Sequence, residues 1–230
     1  MSTTKLYVIS NPHDDIYGEQ HKGTETAVAV SASLNRCYTS FFQALTASTG
    51  QQLTTGEKCQ IMDGLQPIKL RRRQYFLQEG DVCRRLGFII QGAVRTYAVN
   101  HKGQESILYF NTESNWLGDL ESFRTSQASR YHIEALEHTE LLTASHHHIA
   151  SLSIAIPAFR QFLEQEYYVR LAFNQCRVHM ALSMNAEERY LDLLKNQPEY
   201  AKRFSQNTIA SYLGIKPETL SRIRRNWQGR

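Results

Sequence analysis

Glu218, Ser221, Arg222 and Arg225 follow one another at steps of three, one and three residues near the C-terminal end. On a helix those steps gather them on one face. A glutamate carboxylate accepts from the amino group of cytosine, and an arginine grips a guanine edge with two hydrogen bonds. Lys216, Thr219 and Arg224 stand beside them and suit phosphate oxygens, contacts that position a helix without reading sequence. This is chemistry for the major groove of a duplex.

The surrounding residues, FSQNTIASYLGIKPETLSRIRR, can hold such a face in place. Two short helices fit, Gln206–Leu213 and Pro217–Arg225, joined by Gly214-Ile215-Lys216. Ser205 can cap the first. Gly214 permits a sharp turn with positive φ, and Pro217 sits where a helix needs no N–H. Ala210 is small where a second helix must cross closely. Ile209, Leu213, Leu220 and Ile223 supply the shared apolar contact. The arrangement predicts a helix-turn-helix.

Charge supports that reading. Of 230 residues with a net charge of +4, those from 185 to 230 carry nine Lys/Arg against five Asp/Glu, and the remainder is balanced at seventeen of each. The whole excess lies at the end that bears the motif, which suggests a polyanionic partner. No stretch approaches the roughly 18 apolar residues of a membrane span, and the first residues lack a signal-peptide pattern. Cys37, Cys59, Cys83 and Cys176 form no CxxC pair or zinc spacing, so a reduced, cytoplasmic protein is expected.

Residues 1–33 are polar and turn-rich, which predicts a loosely ordered extension. Leu34, Tyr38, Phe41, Phe42 and Leu45 then recur at helical spacing, and Thr54 to Leu65 suggests a second helix. From Lys69 to Ser145, short β-branched and aromatic runs alternate with turn signals, including a hairpin over 95–110. This predicts an antiparallel sandwich or barrel. From Pro157 the period becomes helical. Phe162, Glu166, Val169, Phe173, Cys176, Met180 and Ser183 alternate in steps of four and three, an a/d seam suited to pairing with a twin helix. Asn185 is placed to cap a further helix that ends at Pro198.

A β-barrel, a seam helix and a C-terminal helix-turn-helix together resemble the Crp/Fnr transcription regulators, over roughly Leu34 to Arg225. The stretches that carry the likeness are Phe76-Leu77-Gln78-Glu79-Gly80-Asp81, Phe88 to Arg95, Gly118-Asp119-Leu120, Ile209 to Ile215, and Pro217-Glu218-Thr219-Leu220-Ser221-Arg222. Ala186-Glu187-Glu188-Arg189-Tyr190 is similar to the branch of that family common in the Bacteroidetes. The resemblance implies an α+β chain. Its sensor would be a double-stranded β-helix (jelly-roll), cyclic-nucleotide-binding-like, over 34–156. A dimerisation helix would follow over 157–184 and a DNA-binding domain over 185–230. It implies a cytoplasmic homodimer that binds double-stranded DNA, with RNA polymerase as a further partner and no membrane. The family pattern E-x-x-S-R places base reading on Glu218, Ser221 and Arg222. The dimer seam would use Phe162, Val169, Phe173, Cys176 and Met180.

The chain departs from the family in informative places. Cyclic AMP binders hold the phosphate with a Gly-Glu-Leu turn and a later Arg-Ser-Ala run. The turn is present as Gly118-Asp119-Leu120, but Ser129 stands where the phosphate-gripping arginine belongs. Arg130 could serve only after a register slip that turns a strand residue to the other face. Ordinary cyclic AMP binding is therefore not expected. No cofactor is assigned, and the effector is unknown. The N-terminal cysteine cluster of iron–sulfur sensors is missing, and nine histidines leave no spacing signature for haem. The short span between Pro198 and the motif implies a reduced β-hairpin wing. His146-His147-His148 is expected to open a helix rather than to chelate a metal. Arg71-Arg72-Arg73 reads as a solvated strand edge with a secondary capacity for polyanions. No P-loop, GxSxG or HExxH is present, so no enzyme is expected. The alternative is a small-molecule-binding module without specific DNA recognition.

Overall fold

The computed structural model describes residues 25–228. The expected extension over 1–33 needs correction. Residues 1–24 lie outside the described residues, but Glu25–Thr49 form one continuous helix, α1. Ala27, Ala29 and Ala32 are strong helix formers without an apolar periodicity, so a pattern-based reading passes over them. α2 (Thr55–Gly64) follows, and Thr54 and Glu57 cap it reciprocally.

Eight strands come next, with one short helix among them. They are β1 (Gln66–Leu70), β2 (Tyr75–Leu77), β3 (Arg85–Gln91), β4 (Val94–Val99), β5 (Glu105–Asn111), β6 (Trp116–Leu117), α3 (Leu120–Thr125), β7 (His132–Ala135) and β8 (Thr139–Ser145). They build two four-stranded antiparallel sheets, ordered β1-β8-β3-β6 and β2-β7-β4-β5. The expected hairpin is β4–β5, with Val99 opposite Glu105. The Asn100 side chain closes its turn by accepting from the N–H groups of Lys102 and Gln104, and Gly103 supplies the positive φ. The fold is α+β, as expected.

Helices resume at α4 (His146–Ala155), which the three histidines open behind the Ser145 cap. α5 (Pro157–Ser183) is a single helix of 27 residues, roughly 40 Å long at 1.5 Å per residue. α6 (Ala186–Asn196) has the expected Asn185 cap, completed by Glu188. Pro198 does more than end α6. It starts α7 (Pro198–Arg203), and α8 (Gln206–Leu213) and α9 (Pro217–Gln228) follow. No strand occurs among the described residues after 185, so helix α7 occupies the span where a shortened wing was expected.

α1 is locked to the barrel by Phe41, which is fully buried. Its ring lies 4.9 Å from Phe88 of β3, 6.1 Å from Trp116 of β6 and 5.8 Å from Phe162 of α5. Most of these pairs meet edge to face, the geometry favoured by aromatic quadrupoles. Arg36 of α1 and Lys69 of β1 both reach the buried Glu140 of β8 at 2.7 Å. A buried carboxylate is tolerable only when paired in this way. Replacing Phe41 by alanine should therefore cost about 3–5 kcal/mol of unfolding free energy. Denaturant unfolding followed by tryptophan fluorescence checks it, and a loss below about 1 kcal/mol would contradict the locking role.

Candidate nucleic-acid interface and its docking to the barrel

The helix-turn-helix forms as its residues dictate. Ser205 caps α8 by accepting from the Thr208 N–H. Gly214 adopts φ +67° and ends α8 with a left-handed turn, and Ile215 N–H returns to the Ala210 carbonyl at 3.0 Å, the pattern of a Schellman cap. Ala210 is fully buried. Ile209, Leu213, Leu220 and Ile223 are buried with it, so α9 crosses α8 at its smallest residue.

That packing decides which side of α9 meets solvent. Lys216, Glu218, Ser221, Arg222 and Arg225 are exposed, while Thr219 and Arg224 are half-buried. Ser221, Arg224 and Arg225 line a shallow cavity together with Gln206 at the start of α8. Three of the seven residues expected to contact DNA therefore meet at the N-terminus of α8. An anion is favoured at such a helix terminus.

This unit is held firmly to the barrel by contacts that no spacing of residues marks. Phe110, at the end of β5, packs against Tyr200 of α7 (5.2 Å), Phe204 (4.4 Å) and Tyr212 of α8 (4.8 Å). Arg203 donates to both oxygens of Glu113, at 2.8 and 2.7 Å, and to Glu137 at 2.5 Å. Arg177 of α5 donates to the Tyr212 carbonyl at 2.7 Å and lies over the Tyr212 ring at 4.1 Å. Ser211 Oγ donates to the Glu105 carbonyl. The Arg203 hydrogen bonds hold the Glu113 carboxyl down at about 2. Burial raises the Tyr200 hydroxyl above its ordinary range.

The seam residues are placed differently from expectation. Phe162 is 2% exposed and belongs to the barrel core. Phe173 packs on Tyr109, 6.1 Å away. Met180 is buried and faces the cavity it shares with Leu193 and Tyr212. Phe162 and Met180 are thus taken up by the chain's own body, and half-buried Phe173 leans on it. Val169 and Cys176 remain exposed. The apolar residues that α5 leaves in solvent are Tyr167, Tyr168, Val169, Leu171, Val178 and Leu182, with Val178 59% and Leu182 82% exposed. Tyr168, Leu171, Val178 and Leu182 step by three, seven and four, a second a/d stripe on the other side of the helix.

The expected effector residues meet only in part. Asp119 caps α3, and its other oxygen accepts from the hydroxyl of buried Ser129 at 2.8 Å. Gly118 holds φ +142°, and a Cβ there would come 2.6 Å from Leu86. Leu120 is half-buried against the core. Arg130 is not part of the group. Its side chain is 78% exposed and pairs with Glu121 at 3.6 Å. A residue that sequence reasoning missed reaches the same turn. Arg170 of α5 donates to the carbonyls of Trp116 (2.5 Å) and Gly118 (3.4 Å). It lines a cavity of about 260 Å³ between β5, β6, α5 and α7, together with Tyr109, Phe110, Glu166 and Phe173. Burial raises the Glu166 carboxyl there. One arginine in an amphipathic helix carries no spacing signal, so nothing in the sequence marked it. No group of residues able to hold a metal ion occurs among those described, and no described helix is long and apolar enough to cross a membrane.

A jelly-roll-type barrel, a long helix and a helix-turn-helix define the class of two-part proteins that couple a sensor to a DNA-reading head. Residues 67–154 match the cyclic nucleotide-binding domain family. The chain is 25% identical over 184 residues to the transcriptional activator protein FnrA of Stutzerimonas stutzeri, spanning 71% of this chain and 73% of FnrA. It is also 25% identical over 177 residues to the fumarate and nitrate reduction regulatory protein of Vibrio cholerae, spanning 71% and 68%. Its fold is similar to that of the regulator CLP of Xanthomonas campestris (TM-score 0.64, 18% identity, 76% of this chain and 92% of CLP). FixK2 of Bradyrhizobium japonicum is similar too (0.62, 18%, 72% and 85%). The family match runs from β1 to α4, the stretch that forms the barrel.

The docking contacts predict a defined acid response. A carboxyl held below its ordinary value of 4.5 stabilises the folded state fully above that pH, and the contribution fades as pH falls toward about 2. Arg203→Gln should remove this dependence. Thermal unfolding of the two proteins between pH 6 and 2.5 (on the order of the two pKa values) checks it. Parallel curves would mean that the Arg203–Glu113 contact contributes nothing.

Proposed function

We propose that this chain is a homodimeric, sequence-specific DNA-binding transcription regulator of the Crp/Fnr type. The observation that carries the reading is α9, which buries Leu220 and Ile223 and presents Glu218, Ser221, Arg222 and Arg225 to solvent. Glu218, Ser221 and Arg222 read bases, while Lys216, Thr219, Arg224 and Arg225 add phosphate contacts and further grip. The names of the relatives, transcriptional activators and anaerobic regulators among them, support this class. The sensor unit comprises α1 and the barrel to residue 156, α5 carries the dimer contact, and 185–228 form the reading head. The Ala186–Tyr190 segment supports the Bacteroidetes-type branch. RNA polymerase is a further partner, and the role is non-catalytic and cytoplasmic.

The twin helix packs on Tyr168, Leu171, Val178 and Leu182. An unpartnered apolar stripe on a long helix is stabilised by a matching stripe, and a two-fold axis supplies one. Sedimentation and footprinting test both halves of the proposal. The wild type should sediment as a dimer and protect a two-fold-symmetric DNA site. Val178→Glu/Leu182→Glu should be monomeric and lose the footprint, whereas Arg222→Ala should stay dimeric and lose about 1–3 kcal/mol on the selected site with relaxed specificity. A wild-type monomer that binds no palindrome, or an equal loss by Arg222→Ala on random DNA, would refute the corresponding half.

The effector is not a cyclic nucleotide bound in the usual way. Ser129, where the resemblance expects the phosphate-gripping arginine, donates its hydroxyl to Asp119, and the neighbouring Arg130 pairs with Glu121 instead. A phosphate there would face a like charge. Cyclic AMP at micromolar concentration should leave the unfolding temperature unchanged. A rise of several degrees would overturn this reading of Ser129.

A further inference from the structure

We propose that the cavity between α3, α4 and the chain leading into β3 binds a small organic oxyanion, a carboxylate or phosphate group carried on a short apolar body. The cavity measures about 300 Å³, and its lining includes Arg84, His146, His147, Ser126, Val82 and Phe123. Small-molecule sites occupy about 300–1,000 Å³, so it suits a compact ligand. It shares no residue with the cavity beside Arg170, nor with Gly118, Asp119 and Ser129. The site is independent of the DNA-binding reading.

Three segments are pinned together around this space. Val82 forms an isolated bridge with Ala128. The Cys83 N–H donates to Ser122 Oγ of α3 at 2.9 Å. Ser126 ends α3 in the left-handed conformation, φ +57°, with its N–H on the Ser122 carbonyl at 2.8 Å. Arg85 pairs with Ser145 across β3 and β8, which fixes the start of α4 beside Arg84. The Phe123 ring, itself buried, lies 5.2 Å from that of His146. The walls are therefore formed before a ligand arrives, and little ordering opposes binding.

The charge of the lining is one-sided. Arg84 is exposed, and neither it nor His146 or His147 forms an ion pair with a described acid. No carboxylate lines the cavity. Its one acidic group is the Cys83 thiol, which burial pushes up and which donates to the Arg85 carbonyl at 3.3 Å. The thiol stays neutral. Ser145 Oγ is already engaged as the α4 cap, accepting from the His148 N–H at 3.4 Å, so the attraction comes from side chains. A guanidinium grips a carboxylate or phosphate with two bonds, and a histidine ring donates an N–H in either charge state. Val82 and Phe123 add apolar wall that an inorganic ion leaves unfilled, whereas a neutral ligand leaves Arg84 without its partner.

Ligand-detected magnetic resonance on the full chain tests this with phenyl phosphate, benzoate, benzyl alcohol and inorganic phosphate. Phenyl phosphate or benzoate should bind saturably at about 1 mM or tighter, and the tighter of the two identifies the head group. Benzyl alcohol lacks the charge and inorganic phosphate lacks the apolar body, so each should bind at least about tenfold more weakly. Arg84→Gln should weaken the better probe about tenfold, and His146→Gln/His147→Gln should act in the same direction. Both variants replace exposed side chains, and the unfolding temperature without ligand checks that they fold. Saturable binding of neither oxyanion, a control that binds as tightly, or unchanged affinity in both variants would overturn the site. So would a loss confined to Arg224→Gln/Arg225→Gln, which would put the anion beside α8 instead.

Discussion

Phe110 sets the relation between the two halves of the molecule. It stands one residue before the end of β5, a strand of the barrel, and its ring lies among Tyr200, Phe204 and Tyr212 of the C-terminal helices. Aromatic side chains bury about 150–250 Å² each, so this contact excludes water from a large area. Around it the polar contacts gain strength. Arg203 clasps two carboxylates, and Arg177 ties α5 to α8 beside the same ring cluster. β5, α5 and α8 thus meet at one place. α8 in turn fixes α9 through Ala210 and Leu220, both almost without solvent exposure. β5 and α9 are thus connected through an unbroken series of packed side chains.

α5 makes a different point about pattern. It carries apolar residues on two sides, and both sides have a/d spacing. The heavier stripe, Phe162, Phe173 and Met180, is consumed by the barrel and the reading head. The lighter one, Tyr168, Leu171, Val178 and Leu182, is left in solvent. Periodicity shows that a helix has a face to bury but not what will bury it. The barrel core decides, because Phe41, Phe88 and Trp116 leave a site for Phe162.

The turn at Gly118 is closed by its own side chains. Gly118 keeps a positive φ, and Asp119 caps α3 as a carboxylate can. Its second oxygen is taken by Ser129, and the arginine that reaches the turn comes from α5 and binds carbonyl oxygens. The open space lies beside Arg170 and Glu166, at the junction of barrel, helix and reading head. A group bound in that cavity touches all three.

Much of the design was legible in the residues. Gly214, Ala210 and Leu220 specify the helix-turn-helix by local rules, since a left-handed turn needs glycine and a close crossing needs a small side chain. The β4–β5 hairpin, the Asn185 and Ser205 caps and the exposed face of α9 follow equally from short-range chemistry. The start of α1 was not legible, because alanines and serines carry helix propensity but no periodicity. The choice between the two stripes of α5, the closing of Asp119 onto Ser129 and the docking of Phe110 were decided only in the tertiary structure. Each depends on residues from ten to more than a hundred positions apart. Local propensity acts over a turn or two of chain, whereas burial acts on whatever the fold brings together.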